Sequence, residues 1–216
     1  MLGRMSQAAA LRGQAASDGT ATPGRRERKK AATRAALTDA ARRLFLERGY
    51  DQVTVADIAA EADTAVTTLF KHFPDGKDAL VFGDAAGDTE RADSLVAAVR
   101  DRAPGTGPVP ALREFFRGRG VFDPASTPAQ REIVDLVVRT PTLRAYARRQ
   151  WEVCEGPLTA ALAEAAGLAP DDAATRALAR FVLQVPDLAG TGGDALVAFD
   201  AVFDHLEQGW PAPAGH

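Results

Sequence analysis

The chain has 216 residues, is 46% hydrophobic and carries a formal net charge of -3, a size that accommodates one large domain or a small domain fused to a larger one. The negative total excludes a protein that coats nucleic acid indiscriminately, since such binding is driven by neutralising phosphates with lysine and arginine. A single cysteine, Cys154, excludes an intrachain disulfide framework and a cysteine-based zinc site.

Charge is unevenly distributed. Up to Leu80 there are thirteen basic and ten acidic residues, and beyond it thirteen and nineteen, so only the front of the chain is net positive and suited to a polyanion. The run Ala8-Ala9-Ala10-Leu11 is far shorter than a signal peptide requires, and no stretch approaches the ~18 apolar residues of a membrane span. With the lone cysteine, this predicts a soluble cytoplasmic protein that has no membrane partner.

Residues 1–23 are small, polar and aperiodic and read as a disordered arm. From Arg28 the pattern is helical, with Leu37, Ala40, Ala41, Leu44 and Phe45 at spacings of three and four and Gly49 as the stop. Thr54-Val55-Ala56-Asp57 has the form of a capping box and opens a short second helix that buries Val55, Ile58, Ala59 and Ala62. Asp63, a residue type that tolerates a left-handed turn, ends it. A third helix follows from about Ala65 to Phe73, stopped by Pro74-Asp75-Gly76. Lys77 or Asp78 then opens a long fourth helix through Leu80, Val81, Leu95, Val96 and Val99.

Later breakers fall at Pro104 to Pro110, Asp123 to Pro128, Thr140-Pro141, Gly167 to Pro170 and Gly190 to Gly193. The run Thr142 to Ala166 reads as one helix kinked by Gly156-Pro157. Two helices close the chain. Leu178, Phe181, Val182 and Val185 line one, and Ala195, Phe199, Val202, Phe203 and Leu206 line the other. These stripes are expected either to pair with a second subunit or to complete the core of one. Residues 210–216 read as a flexible tail.

At 100° per residue Leu69 and Phe73 share an inward face of the third helix, leaving Thr67, Thr68 and Lys71 on the opposite side. Two small hydroxyls and one lysine suit the major groove, where lysine donates to guanine and a threonine methyl touches a thymine methyl. The segment Ala41 to Leu80 resembles the DNA-binding region of the TetR family of bacterial repressors at Ala41, Leu44, Phe45, Gly49, Tyr50, Thr54, Val55, Ile58, Ala59, Ala62, Thr68, Leu69, Phe70, His72, Phe73, Lys77 and Leu80. It departs from the family at Asp63-Thr64-Ala65, which admits an N-cap at Thr64. Val66 stands at a position that is often polar or basic, Phe70 replaces a common tyrosine, and Asp75-Gly76 adds a residue before Lys77.

The resemblance implies an all-α fold: an N-terminal three-helix helix-turn-helix DNA-binding domain over residues 24–76, followed over residues 77–209 by a larger helical ligand-binding and dimerisation domain. It implies a homodimeric transcriptional repressor that binds palindromic operator DNA and is released by a small-molecule effector. The expected DNA contacts are Arg28, Lys29, Thr54, Ala65, Val66, Thr67, Thr68, Phe70, Lys71, His72 and Lys77. Thr54, at a helix N-terminus, and Lys77 take phosphate roles, and the basic run from Arg25 through Lys30, with Arg34, reaches along the backbone or into a minor groove. Phe115, Phe116, Phe122, Trp151, Cys154 and Phe181 are candidate effector-pocket residues. Residues 141–183 loosely resemble the C-terminal domain of repressors of acyl-CoA-like ligands. Three histidines, His72, His205 and His216, make no nucleophile–base or metal-ligand pattern, so no enzyme, cofactor or metal is expected. The alternative is a helix-turn-helix protein without an effector, architectural or constitutively repressing.

Overall fold

The computed structural model describes residues 24–83, 88–190 and 194–209, so the expected arm (1–23) and tail (210–216) lie outside it. The described residues form eleven α-helices and one 3-10 turn, with no strand among them. Helix α1 (Arg25–Arg48) buries Leu37, Ala40, Ala41, Leu44 and Phe45. Helix α2 (Val55–Glu61) starts at a complete capping box in which the Thr54 side chain accepts from the Asp57 N–H and the Asp57 carboxylate accepts from the Thr54 N–H. Helix α3 (Val66–His72) starts at Ala65, whose extended backbone makes it the N-cap without a side-chain bond. Thr64 therefore does not cap it.

The expected long fourth helix is two helices. Helix α4 (Lys77–Phe82) ends at Gly83, with φ +64°, where a Cβ would lie 2.8 Å from Thr38 Cγ2. Only glycine permits both that left-handed turn and that close approach to α1, so the chain leaves the helix there. Helix α5 (Asp88–Arg100) begins the second part of the molecule.

Helices α6 (Pro108–Arg117), α7 (Pro128–Arg139), α8 (Pro141–Glu152), α9 (Glu155–Ala166), α10 (Ala173–Gly190) and α11 (Ala195–Gln208) follow, with the 3-10 turn at Gly120–Phe122 between α6 and α7. Three of these begin with proline at the first helical position, where its missing N–H costs nothing. The run from Thr142 to Ala166 is broken rather than kinked, at Val153-Cys154. Pro157 has no N–H to offer the Val153 carbonyl and its ring crowds that carbonyl, so the break falls four residues before the proline. Pro186, by contrast, lies inside α10, where it removes the helical bond to the Val182 carbonyl.

Two hydrophobic cores result. The larger collects Leu95, Leu112, Phe116, Leu158, Val182, Val185, Phe199 and Phe203. The terminal stripes thus face into the monomer: Val182, Val185, Phe199 and Phe203 are fully buried and do not form an outer face. The smaller core is built on Leu37, Leu44, Phe45, Ile58, Leu69 and Phe73, includes Leu80 and Val81 from α4, and is completed by Leu136 of α7 and Leu143 of α8. Helix α4 thus packs with the helix-turn-helix, ahead of the break at Gly83.

Because Leu143 is fully buried in a core formed mainly by α1 to α4, Leu143→Ala should lower stability by about 2 to 5 kcal/mol in chemical denaturation. The loss should also lower the unfolding midpoint of the helix-turn-helix, read by amide exchange of α3. Thr54 lowers the Asp57 carboxyl below its ordinary value of 3.8 through side-chain and backbone hydrogen bonds. A depressed carboxyl stabilises the fold above its unfolded value and loses that contribution as pH falls through the folded one. The stability difference between wild type and Asp57→Asn should be greatest near neutrality and shrink as pH drops below 3.8, measured by thermal melts across pH.

Candidate nucleic-acid interface and effector cavity

The helix-turn-helix is held from both ends. Between α2 and α3 the chain turns through Asp63, the one non-glycine among the described residues with positive φ, at 49°. The Thr64 N–H returns to the Ala59 carbonyl at 2.9 Å, closing the turn. Leu69 and Phe73 anchor α3, almost wholly buried. Arg34 of α1 lies 4.3 Å over the Phe73 ring and donates to the His72 carbonyl and, at 3.4 Å, to that of Gly83. Arg34 therefore clamps the end of α3 to α4. A basic run in a sequence conceals such a residue, because nothing in the pattern separates the arginine that folds back from those that stay in solvent.

The outward face of α3 is wider and more apolar than helical angles imply. Thr67 and Lys71 are exposed as expected and Thr68 is half-buried. Val66 and Phe70 join them, 36% and 44% exposed. Ala65, as N-cap, is also exposed, whereas His72 is half-buried. Arg28 and Lys29 stand exposed on the first turns of α1, and Thr54 is exposed at the start of α2.

Lys77 is placed differently. Its Nζ donates to the Tyr50 and Val53 carbonyls at 3.0 and 3.1 Å and sits 4.0 Å over the Tyr50 ring. It braces the turn between α1 and α2 rather than standing free at the surface. The Tyr50 hydroxyl donates to Asp78. Burial, reinforced by Asp78, pushes that phenol above its ordinary range, so it stays a neutral donor.

Above this unit lies a cavity of about 580 Å³ walled by α4, α7, α8 and α10 with the Phe116 to Phe122 segment. Of the candidate pocket residues, Phe116, Phe122 and Trp151 line it. Phe115, Cys154 and Phe181 do not. Phe115 lies behind the wall with its ring edge-on to Trp151, Cys154 is fully buried in the larger core, and Phe181 is exposed on the outside of α10. Periodicity identifies an apolar stripe but cannot say which members stop at a void.

The cavity-lining groups that the apolar patterns could not reveal are Arg42, Arg91, Arg119, Arg144 and Arg148, with Asp187 the single carboxylate among the lining residues. Asp187 accepts from Arg144 at 2.9 Å and lies 3.7 Å from Arg148. Arg42 Nε donates to the Val81 carbonyl at 2.9 Å, and burial pulls its guanidinium below the ordinary range against the opposing charge of Asp39. Arg119 lies 3.6 Å over the Phe115 ring, and burial lowers its pKa as well.

Cavity and helix-turn-helix share parts. Arg42, Val81 and Phe82 belong to the cavity wall, while Val81 also sits in the smaller core. From α8, Tyr146 stacks on Phe82 at 5.3 Å and its hydroxyl donates to Asp75 at 3.1 Å. Asp75, which departs from the family spacing, thus ties the turn between α3 and α4 to the helix that carries Arg144, Arg148 and Trp151.

Residues 37–82 match the family described as bacterial regulatory proteins, tetR family, and residues 106–211 match the MftR C-terminal domain. The transcriptional regulator TcmR of Streptomyces glaucescens is 32% identical over 200 residues, covering 85% of this chain and 87% of the relative. The transcriptional repressor Rv1474c of Mycobacterium tuberculosis is 39% identical over 93 residues, 43% of this chain and 46% of the relative. Among solved structures, Thermus thermophilus FadR in complex with lauroyl-CoA matches with a TM-score of 0.51 at 23% identity, over 85% of this chain and 99% of that one. NalD, a repressor of a Pseudomonas aeruginosa efflux pump, matches with a TM-score of 0.52 at 19% identity, over 84% and 97%. These structures share the fold, and the sequence relatives are transcriptional regulators rather than enzymes. The chain belongs to the TetR family of bacterial transcriptional regulators.

Proposed function

We propose that the protein is a homodimeric repressor that binds a palindromic operator through two copies of α3 and releases it when a small molecule fills the cavity. The observation that carries this reading is the pairing of an anchored, outward-facing α3 with a cavity whose wall includes the helix supporting it.

Thr67 and Lys71 read base edges, with Ala65, Val66, Thr68 and Phe70 supplying contacts along the same face; Val66 and Phe70 suit thymine methyls and sugar carbons. Arg28, Lys29 and Thr54 meet phosphate, the last at the N-terminus of α2. Of the remaining expected contacts, His72 and Lys77 act from the second row. The His72 carbonyl holds Arg34 and Lys77 holds the Tyr50–Val53 turn, so both set the angle of α3 against the duplex.

The dimer reading is supported by the outer surfaces of α10 and α11. Phe181 and Leu188 lie seven residues apart on α10, and Leu196 and Val197 open α11, with Leu188 54% and Val197 64% exposed. Apolar residues clustered at that exposure on two adjacent helices fit an isologous interface. A two-fold dimer presents its recognition helices to half-sites one helical turn or a multiple apart.

Effector release follows from the shared wall. A ligand that moves α8 drags Tyr146, and with it Asp75 and Phe82, and so re-aims α3. An acyl-CoA-like molecule is one effector class consistent with the C-terminal resemblance and with the lauroyl-CoA held by the Thermus thermophilus relative. A cavity of this size, walled by aliphatic and aromatic side chains with a few polar groups, is typical of ligand sites and favours this reading over a DNA-binding protein without an effector.

Lys71→Ala should weaken binding to an operator selected from random DNA by about 1 to 3 kcal/mol while leaving the melting temperature unchanged. Equal wild-type affinity for selected and scrambled DNA would refute base reading. Leu188→Glu combined with Val197→Glu should convert dimer to monomer in light scattering and lower operator affinity with it. A dimer that persists in that variant would move the interface elsewhere.

A further inference from the structure

Five arginines from four separate elements converge on one chamber: Arg42 of α1, Arg91 of α5, Arg119 of the segment after α6, and Arg144 and Arg148 of α8. One carboxylate, Asp187, faces them, and Arg144 engages it at 2.9 Å. The rest of the wall is apolar and ring-bearing, including Phe82, Phe116, Phe122 and Trp151. Arg42 and Arg119 have backbone carbonyls as their hydrogen-bond acceptors among the described residues. A carbonyl is a weaker partner for a guanidinium than a carboxylate, which accepts two parallel charge-assisted bonds.

Resting on the effector reading above, we propose that the cavity selects an organic anion with a ring-bearing apolar body, whose carboxylate or sulfonate is taken by Arg42 and the neighbouring arginines. Arg42 is the arginine whose position links occupancy to DNA. Its guanidinium bonds the Val81 carbonyl of α4, so an anion that draws it away loosens the tie between α1 and α4 beside the end of α3. An apolar, ring-bearing body sets such a guest apart from a free inorganic anion, since the rings contribute binding that a small hydrated ion lacks. Five guanidinium groups against the one lining carboxylate penalise a neutral or cationic guest of the same shape, because Arg42 and Arg119, held by backbone carbonyls, gain no charged partner from it.

The test uses the full-length dimer and two fluorescent probes of nearly identical skeleton, the anion 1-anilinonaphthalene-8-sulfonate and its neutral counterpart N-phenyl-1-naphthylamine. The sulfonate should bind at least about tenfold more tightly, the worth of one charge-assisted hydrogen bond. Arg42→Gln, which keeps a donor for Val81, should weaken the sulfonate about tenfold and leave the neutral probe unchanged. Asp187→Asn, which removes the competing carboxylate, should tighten the sulfonate, a direction that structural damage does not produce. Val134→Trp, which fills the chamber from α7, should abolish both signals.

Equal affinity for the two probes, or weaker sulfonate binding in Asp187→Asn, overturns the anion selectivity. A sulfonate signal that survives Val134→Trp places the probe outside the cavity and overturns it too. Saturating sulfonate should release a selected operator from wild type but not from Arg42→Gln. If selectivity holds and the operator stays bound, the effector reading and the Arg42 link fail while the anion site stands.

Discussion

The helix-turn-helix of this protein cannot close its own core. Leu37, Leu44, Ile58, Leu69 and Phe73 gather α1, α2 and α3, but Leu136 and Leu143 from α7 and α8 complete the cluster. A three-helix unit of this size buries too little apolar surface to be robust alone. Borrowing two leucines from the following helices corrects that, and it makes the position of α7 and α8 a condition on the DNA-binding unit. The helices that finish one core, α7 and α8, also wall the cavity, which is the structural link that the proposed regulation uses.

The polar contacts follow the same division. Tyr146 reaches Asp75 and stacks on Phe82, and Arg34 and Arg42 reach from α1 to the carbonyls of His72, Val81 and Gly83. Tyr146 joins the turn between α3 and α4 to α8 outside the recognition unit, and the two arginines tie the end of α3 and α4 to α1, each through one or two directional bonds. Such bonds contribute modest net energy and exchange partners without unpacking a core, so they are the contacts a ligand can redirect. The leucine contacts hold the modules together while the hydrogen bonds set their angle.

Much of this was legible in the residues. The capping box at Thr54 and Asp57, the left-handed Asp63 and the anchors Leu69 and Phe73 are local features, dictated by neighbours within four positions, and each stands where its pattern places it. Long-range features were not legible. Gly83 ends α4 because Thr38, forty-five positions earlier, leaves no room for a side chain. Lys77 turns to the carbonyls of Tyr50 and Val53, 27 and 24 positions earlier, a contact no local pattern announces. The stripes on α10 and α11 showed a buried face and could not say that a second, exposed face carries Leu188 and Val197.

The arginines are the sharpest instance, because their chemistry reads oppositely in sequence and in space. Taken along the chain, Arg42, Arg91, Arg119, Arg144 and Arg148 look like ordinary solvated charges on helix surfaces, and most arginines are. Folding brings them to one cavity with a single carboxylate among the lining side chains. An arginine stem packs on apolar surface while its guanidinium keeps the charge, so one residue type can supply both packing and charge. The overall charge of -3 therefore says little about either binding surface. Positive charge is gathered locally, on the first turns of α1 beside the proposed DNA face and among the residues lining the cavity, and α1 contributes to both through Arg28 and Lys29 at one end and Arg42 in its second half. One helix, α1, therefore carries residues of both the proposed DNA face and the cavity wall.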